Sequence, residues 1–259
     1  MLHTTRESET LNPQRITVVE QEFDDIIEVS DLVLLKFKLN ELKFQEVNQV
    51  FSVLEAARKG IILHEMAERS LKWGAREEAY EFARQSLQHF ESIKMTSSQE
   101  LLPIISAYTS SVQMLMAMCR PLFFEIQKVL RGFQQSVNQF KELSVLPEYL
   151  RAKACLKLPW YFIFRKRRAN KDLNSVILKS HQLPMPYNSR IVSFAYLVMA
   201  ELKKEESFNN QLASIIALLD KAIIWDPTNA AAREKAEFMK AELLRKTHGI
   251  HYGTASGNN

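Results

Sequence analysis

Apolar residues recur at three- and four-residue steps along this chain: Leu32, Leu35, Leu39 and Leu42, then Val47, Val50, Phe51 and Leu54. That spacing gathers them on one face of a long helix, or of two closely spaced ones, and leaves polar residues on the other. Gly60 is expected to end the run. The same period continues over 62–73, pauses at Gly74 and resumes over 76–90, which predicts a helical hairpin. Further helices are expected over 101–119 and, after the Arg120-Pro121 break, over 123–143. Pro147, Pro159, Pro184 and Pro186 divide the remainder into helices near 148–157, 160–180, 188–204, 208–225 and 228–246. Residues 1–19 read as a flexible leader and 248–259, with their Gly/Ser/Asn composition, as a disordered tail. A single helical-repeat domain is expected over 20–247.

Composition sharpens the fold class. Only 6 of 259 residues are glycine, against about 7% in ordinary proteins, and Gly249, Gly253 and Gly257 are all near the C-terminus. Sandwiches, barrels and nucleotide-binding α/β folds need glycine at tight turns and phosphate loops. The expected fold is therefore all-α: stacked antiparallel hairpins forming an α-solenoid, with an irregular helical bundle as the alternative. At 46% hydrophobic and 25% charged residues the chain can bury a large core. Cys119 and Cys155 lie within apolar helical patterns and read as buried thiols in a reducing compartment. The N-terminal stretch is polar, without the apolar core of a secretory signal, so a cytoplasmic protein is expected. The interval from Leu101 to Cys119 has no charged residue and is long enough to cross a bilayer, but its Ser, Thr and Gln residues and Pro103 favour a helix buried by its neighbours.

Internal similarity supports the repeat reading. In LLDKAIIWDPTNAAAREKAEFMKAEL, Ala222, Asp226-Pro227 and Asn229 occupy the places of the small residue, the closing Asp-Pro pair and the next helix's first cap. This segment resembles the close of a tetratricopeptide repeat. Tyr196, Met199 and Ala200 match the repeat's first helix if the intervening turn is a few residues longer, whereas Ile215 departs from the usual small position. A second candidate, LHEMAERSLKWGAREEAYEFARQSL, has Ala67, Gly74, Ala79 and Leu87 at family-like spacing but Glu91 where the proline would stand. The resemblance implies repeat-like hairpins near 60–93 and 188–227, a capping helix over 228–246, and a protein-binding role.

Candidate chemistry is sparse. His64-Glu65-x-x-Glu68 looks like half of a metal-binding helix, but no second histidine stands at 68, and the motif reads as a solvated helix face. No Ser-His-acid or Cys-His spacing stands out; no catalytic residue, metal site or cofactor is expected, and the chain is read as a non-enzyme. His248 and His251 sit in the tail, where a weakly held metal could bind but no preorganised site is expected, and they are not read as functional. Ser106, Thr109, Ser110 and Gln113 form a polar stripe beside Tyr108 on an otherwise apolar helix. They are the candidate contacts of a concave groove holding a partner peptide or helix, or else an internal polar seam.

Residues 149–171 differ from the rest. They contain Arg151, Lys153, Lys157, Arg165, Lys166, Arg167, Arg168 and Lys171 and no acid; with a net charge of +4 overall, these eight cations leave the remaining chain at −4. Trp160, Tyr161, Phe162 and Phe164 stand among them. Such a mixture suits an anionic membrane surface, single-stranded nucleic acid or an anionic protein, or it is core aromatics beside a solvated turn. The acidic start, Glu20, Glu22, Asp24, Asp25, Glu28 and Asp31, opposes it in sign and would dock on it within one chain or between two. The functional expectation is a non-catalytic adaptor with a groove, the alternative a peripheral membrane or nucleic-acid binder through 149–171.

Overall fold

A computed structural model describes residues 12–48, 52–120, 123–182, 187–206 and 208–254. Its described residues form eleven helices and no strand, so the all-α expectation holds. In order they are α1 (Pro13–Gln21), α2 (Leu32–Asn48), α3 (Val53–Lys72), α4 (Arg76–Ile93), α5 (Leu102–Cys119), α6 (Phe123–Phe140), α7 (Leu146–Lys157), α8 (Arg165–Ser180), α9 (Ser189–Glu206), α10 (Phe208–Trp225) and α11 (Ala230–Thr254).

From α3 onward the chain is a stack of hairpins. The odd-numbered helices pack on one another in succession from α3 to α11, and each of α4, α6, α8 and α10 is held between the two odd helices that flank it in sequence. Two layers result, the general architecture of a helical repeat or α-solenoid. α5 is long and apolar enough to cross a bilayer, yet it packs against α3, α4, α6 and α7, with 67% of it buried inside the molecule. Cys119 and Cys155 are free and buried, as expected.

Local chemistry sets the helix ends. Gly74, at φ +83°, takes the left-handed conformation that closes α3, where a side chain would be strained. Pro103 and Pro147 occupy first-turn positions of α5 and α7, where a missing N–H leaves nothing unpaired. After α10, the Asp226 carboxylate accepts hydrogen bonds from the Thr228 amide (3.0 Å) and hydroxyl (2.6 Å), and Asn229 Oδ1 accepts one from the Ala232 amide (3.1 Å) to cap α11.

Four expectations are corrected. Gly60 does not end a helix: it lies inside α3, and a Cβ there would come 2.8 Å from the Phe90 ring of α4. Its role is close packing between helices, reinforced by Ser86 Oγ, which donates to the Gly60 carbonyl at 2.7 Å. The start of α3 is set by Ser52 and Glu55, a reciprocal capping box in which Ser52 Oγ accepts from the Glu55 amide (3.2 Å) and Glu55 accepts from the Ser52 amide (2.7 Å). The leader reading fails for 13–19, which form most of α1, capped by Asn12 and anchored by buried Ile16; residues 1–11 lie outside the described residues. Residues 160–164 form turns rather than the start of a helix, because Pro159 ends α7 and α8 opens only at Arg165. At the other end α11 continues to Thr254, past the expected stop at 246, and 255–259 lie outside the described residues.

Candidate functional site

The chain between α1 and α2 lies against the odd-numbered layer. Phe23, Ile26 and Ile27 enter the core, and polar residues from Glu20 to Glu28 find partners on or just before α3, α7 and α9. Arg58 of α3 donates to the Glu22 carbonyl (2.7 Å) and pairs with Asp25, while Asn188 donates to Asp24 (3.0 Å) and Ser144 to Glu20 (2.5 Å). Glu28 has a φ of +61°, a left-handed conformation uncommon outside glycine, asparagine and aspartate. It is held there from α7, where the Tyr149 hydroxyl donates to its carboxylate at 2.7 Å and Lys153 forms a buried ion pair with it. The acidic start thus docks within the chain, on Lys153 rather than on the Arg165–Arg168 run.

A network of buried charge spreads from this contact. Lys153 also reaches Glu68 of α3 (3.2 Å), Lys157 reaches the same carboxylate (2.5 Å), and Arg69 lies 3.4 Å from Glu65 and donates to the Val29 carbonyl (3.0 Å). Burial alone would raise the Glu28 carboxyl, but Lys153, with help from Lys235 and Arg69, overrides it and pulls the group to about 2. Burial works against the Lys153 ammonium in the same way, and Glu28 and Glu68 hold it above its usual value. The Tyr149 phenol is pushed well up by burial and by the Glu28 charge beside it.

Beside the network opens a cavity of about 670 Å³. It runs from the C-terminal turns of α3 past the ends of α5 and α7 and across α9 to α11, with Glu28 in its wall. Leu71, Met118, Ile126, Leu156, Phe194 and Leu197 supply its apolar lining. Six cations, Arg69, Lys72, Arg76, Lys153, Lys157 and Lys235, face three carboxylates, Glu28, Glu68 and Glu201. Among the described residues no carboxylate lies within ion-pair distance of Lys72, Arg76 or Lys235; Lys235 and Lys72 act on Glu201, and Lys235 on Glu28, only at longer range, and the six cations outnumber the carboxylates of the wall.

The expected groove residues lie elsewhere. Tyr108 and Ser110 are buried, which corrects their reading as partner contacts, and the Tyr108 hydroxyl has no hydrogen-bond partner among the described residues. Ser106 and Thr109 are half-buried. Gln113 lines a smaller cavity of about 360 Å³ between α4, α5 and α6, where Arg120 lies 3.9 Å over the Tyr80 ring. His64, Glu65 and Glu68 are buried too, not a solvated face. His64 Nε2 stands 2.7 Å from Ser111 Oγ and Nδ1 3.2 Å from Glu65. This Ser-His-Glu contact escaped the sequence reading because Ser111 is on a different helix. It ties α3 to α5 and lines neither cavity.

The basic segment is split by the fold. Arg151 pairs with Asp172 (2.6 Å) and, like Lys153, is buried, whereas Trp160, Tyr161, Arg167 and Arg168 are exposed and Arg165 and Lys166 half-buried. The cavity residues were nevertheless written in helical spacing: Glu68, Arg69 and Lys72 share one stripe of α3, and Tyr149, Lys153 and Lys157 one stripe of α7. Fold and site together define an all-helical stack of hairpins with a cationic cavity across its odd-numbered layer. No protein-family model, curated protein or solved structure matches the chain.

Proposed function

We propose that this chain is a non-catalytic cytoplasmic adaptor that holds an acidic, partly apolar segment of a partner protein against its odd-numbered helical layer. The observation that carries the reading is the cavity spanning α3 to α11, with its apolar walls and its excess of cations. A carboxylate entering beside Lys72, Arg76 and Lys235 gains charge-assisted hydrogen bonds in a setting whose walls are partly apolar. The chain's own acidic segment, seated on the same layer through Phe23, Ile26 and Glu28, supports the choice of an acidic, partly apolar partner. The tetratricopeptide resemblance supports the same role, since Ala222 is buried at 1% exposure and Asp226 and Asn229 order the turn and cap that follow.

A fluorescein-labelled peptide rich in Asp, Glu, Phe and Ile tests the proposal by anisotropy with the full chain. Binding is expected to be saturable and to weaken with salt. It should be lost in a Lys72→Glu, Arg76→Glu, Lys235→Glu variant of unchanged helical content. Equal binding by wild type and variant, or preference for a basic peptide of matched apolarity, would remove the cavity from the account.

A further inference from the structure

The turns joining α7 to α8 expose large apolar side chains in a row: Trp160 at 82%, Tyr161 at 50%, Ile163 at 76% and Phe164 at 69%. This is a built loop. Leu158 and Phe162 anchor it in the core, the Phe162 amide donates to the Pro159 carbonyl (3.0 Å), and Arg165 reaches back to the Leu156 carbonyl (2.8 Å). Folding therefore holds four apolar groups out in water, an arrangement that marks a contact surface.

The charge beside it identifies the partner. Phe164, Arg167, Arg168 and Lys171 fall at helical steps of three and four, so the three cations sit on the side of α8 that continues from the loop. All three are exposed, and among the described residues none has a carboxylate within ion-pair distance. We propose that residues 160–171 dock on an anionic lipid bilayer, with Trp160 and Tyr161 in the headgroup layer, Ile163 and Phe164 reaching the acyl boundary, and Arg167, Arg168 and Lys171 on the lipid phosphates and carboxylates. Trp and Tyr partition to that interface because one part of each ring is apolar and another hydrogen-bonds. Single-stranded nucleic acid would stack on the rings, but it offers nothing to bury Ile163.

Co-sedimentation of the full chain with phosphatidylcholine vesicles, with and without phosphatidylserine, tests this. Binding is expected only with phosphatidylserine, falling as salt rises. Arg167→Glu, Arg168→Glu, Lys171→Glu together should weaken it at least about 100-fold. Trp160→Ala, Ile163→Ala, Phe164→Ala should abolish it, and both variants should keep wild-type helical circular dichroism because the altered side chains are exposed. Brominated lipid should quench tryptophan emission in wild type and in Trp73→Phe, but not in Trp160→Ala. Equal binding to neutral vesicles, vesicle binding unchanged in either triple variant, or binding of oligonucleotide without binding of vesicles would overturn the proposal.

Discussion

Glu20 and Glu28 lie on one short stretch of chain, both buried, and their neighbours drive them apart. Glu20 meets the Ser144 hydroxyl and a like charge at Asp24, so burial dominates and its carboxyl rises to about 7. Glu28 meets Lys153 and falls to about 2. Between pH 4.5 and about 7 the folded chain holds a proton on Glu20 that the unfolded chain has lost, so that group's contribution is complete below 4.5 and disappears as pH rises through 7. Glu28 acts oppositely, stabilising above 4.5 and losing its contribution as pH falls toward 2. Glu20→Gln removes the charge that burial opposes and keeps an acceptor for Ser144. The variant should therefore gain about 3 kcal/mol relative to wild type between pH 4.5 and 8, read from urea midpoints across that range; a difference independent of pH would mean that Glu20 is ionised in the fold. Sequence gave the opposite signs of the acidic start and the basic segment, but not which cation would answer. Lys153 is chosen because α7 is buried along the layer where 20–31 lies, whereas Arg167 and Arg168 are on an outward face of α8.

At the scale of elements, the signals that proved legible are those whose chemistry is local. Gly74 closes α3 through its own φ, Pro103 and Pro147 open helices, and Asp226-Pro227 with Asn229 separates α10 from α11. Gly60 was not legible, because its reason is Phe90, thirty residues on in another helix. Ser52-x-x-Glu55 was present as a start signal for α3, and the apolar period running on from α2 masked it. The 160–164 turns were hidden because their aromatic run looks like core until Trp160, Ile163 and Phe164 are seen outside it. Ala222 is the place where repeat spacing and packing make one demand: it is 1% exposed, and its carbonyl accepts from Ser193 of α9 at 2.7 Å. Ala222→Arg should cost about 3 kcal/mol or more, since a long cation has neither room nor a partner between α9 and α10. Thermal or urea unfolding measures it, and an unchanged midpoint would mean that the two helices do not meet there.

For the whole molecule, glycine scarcity and helical period were enough to reach an all-α stack, since both act along the chain. The cavity was out of reach because it is a property of the stacking: seven helices contribute to its walls, several of them by a single residue, and charges far apart in sequence meet across it. The polar stripe of α5 misled for the same reason, as Tyr108 and Ser110 face helices that cover them. The proposed bilayer loop and the cavity share the end of α7, with Pro159 in the cavity wall and Trp160 next to it in the loop. A lipid-docked molecule would hold its partner near the membrane. Amide hydrogen exchange, followed by mass spectrometry on the full chain with and without the acidic peptide, tests the central claim most directly. The account predicts slowed exchange in the last turns of α3, in the first turn of α4 at Arg76, in α7 and over 194–201, with the rest of α4 and α8 unchanged. Protection confined to the even-numbered helices, or no protection under saturating peptide, would contradict it.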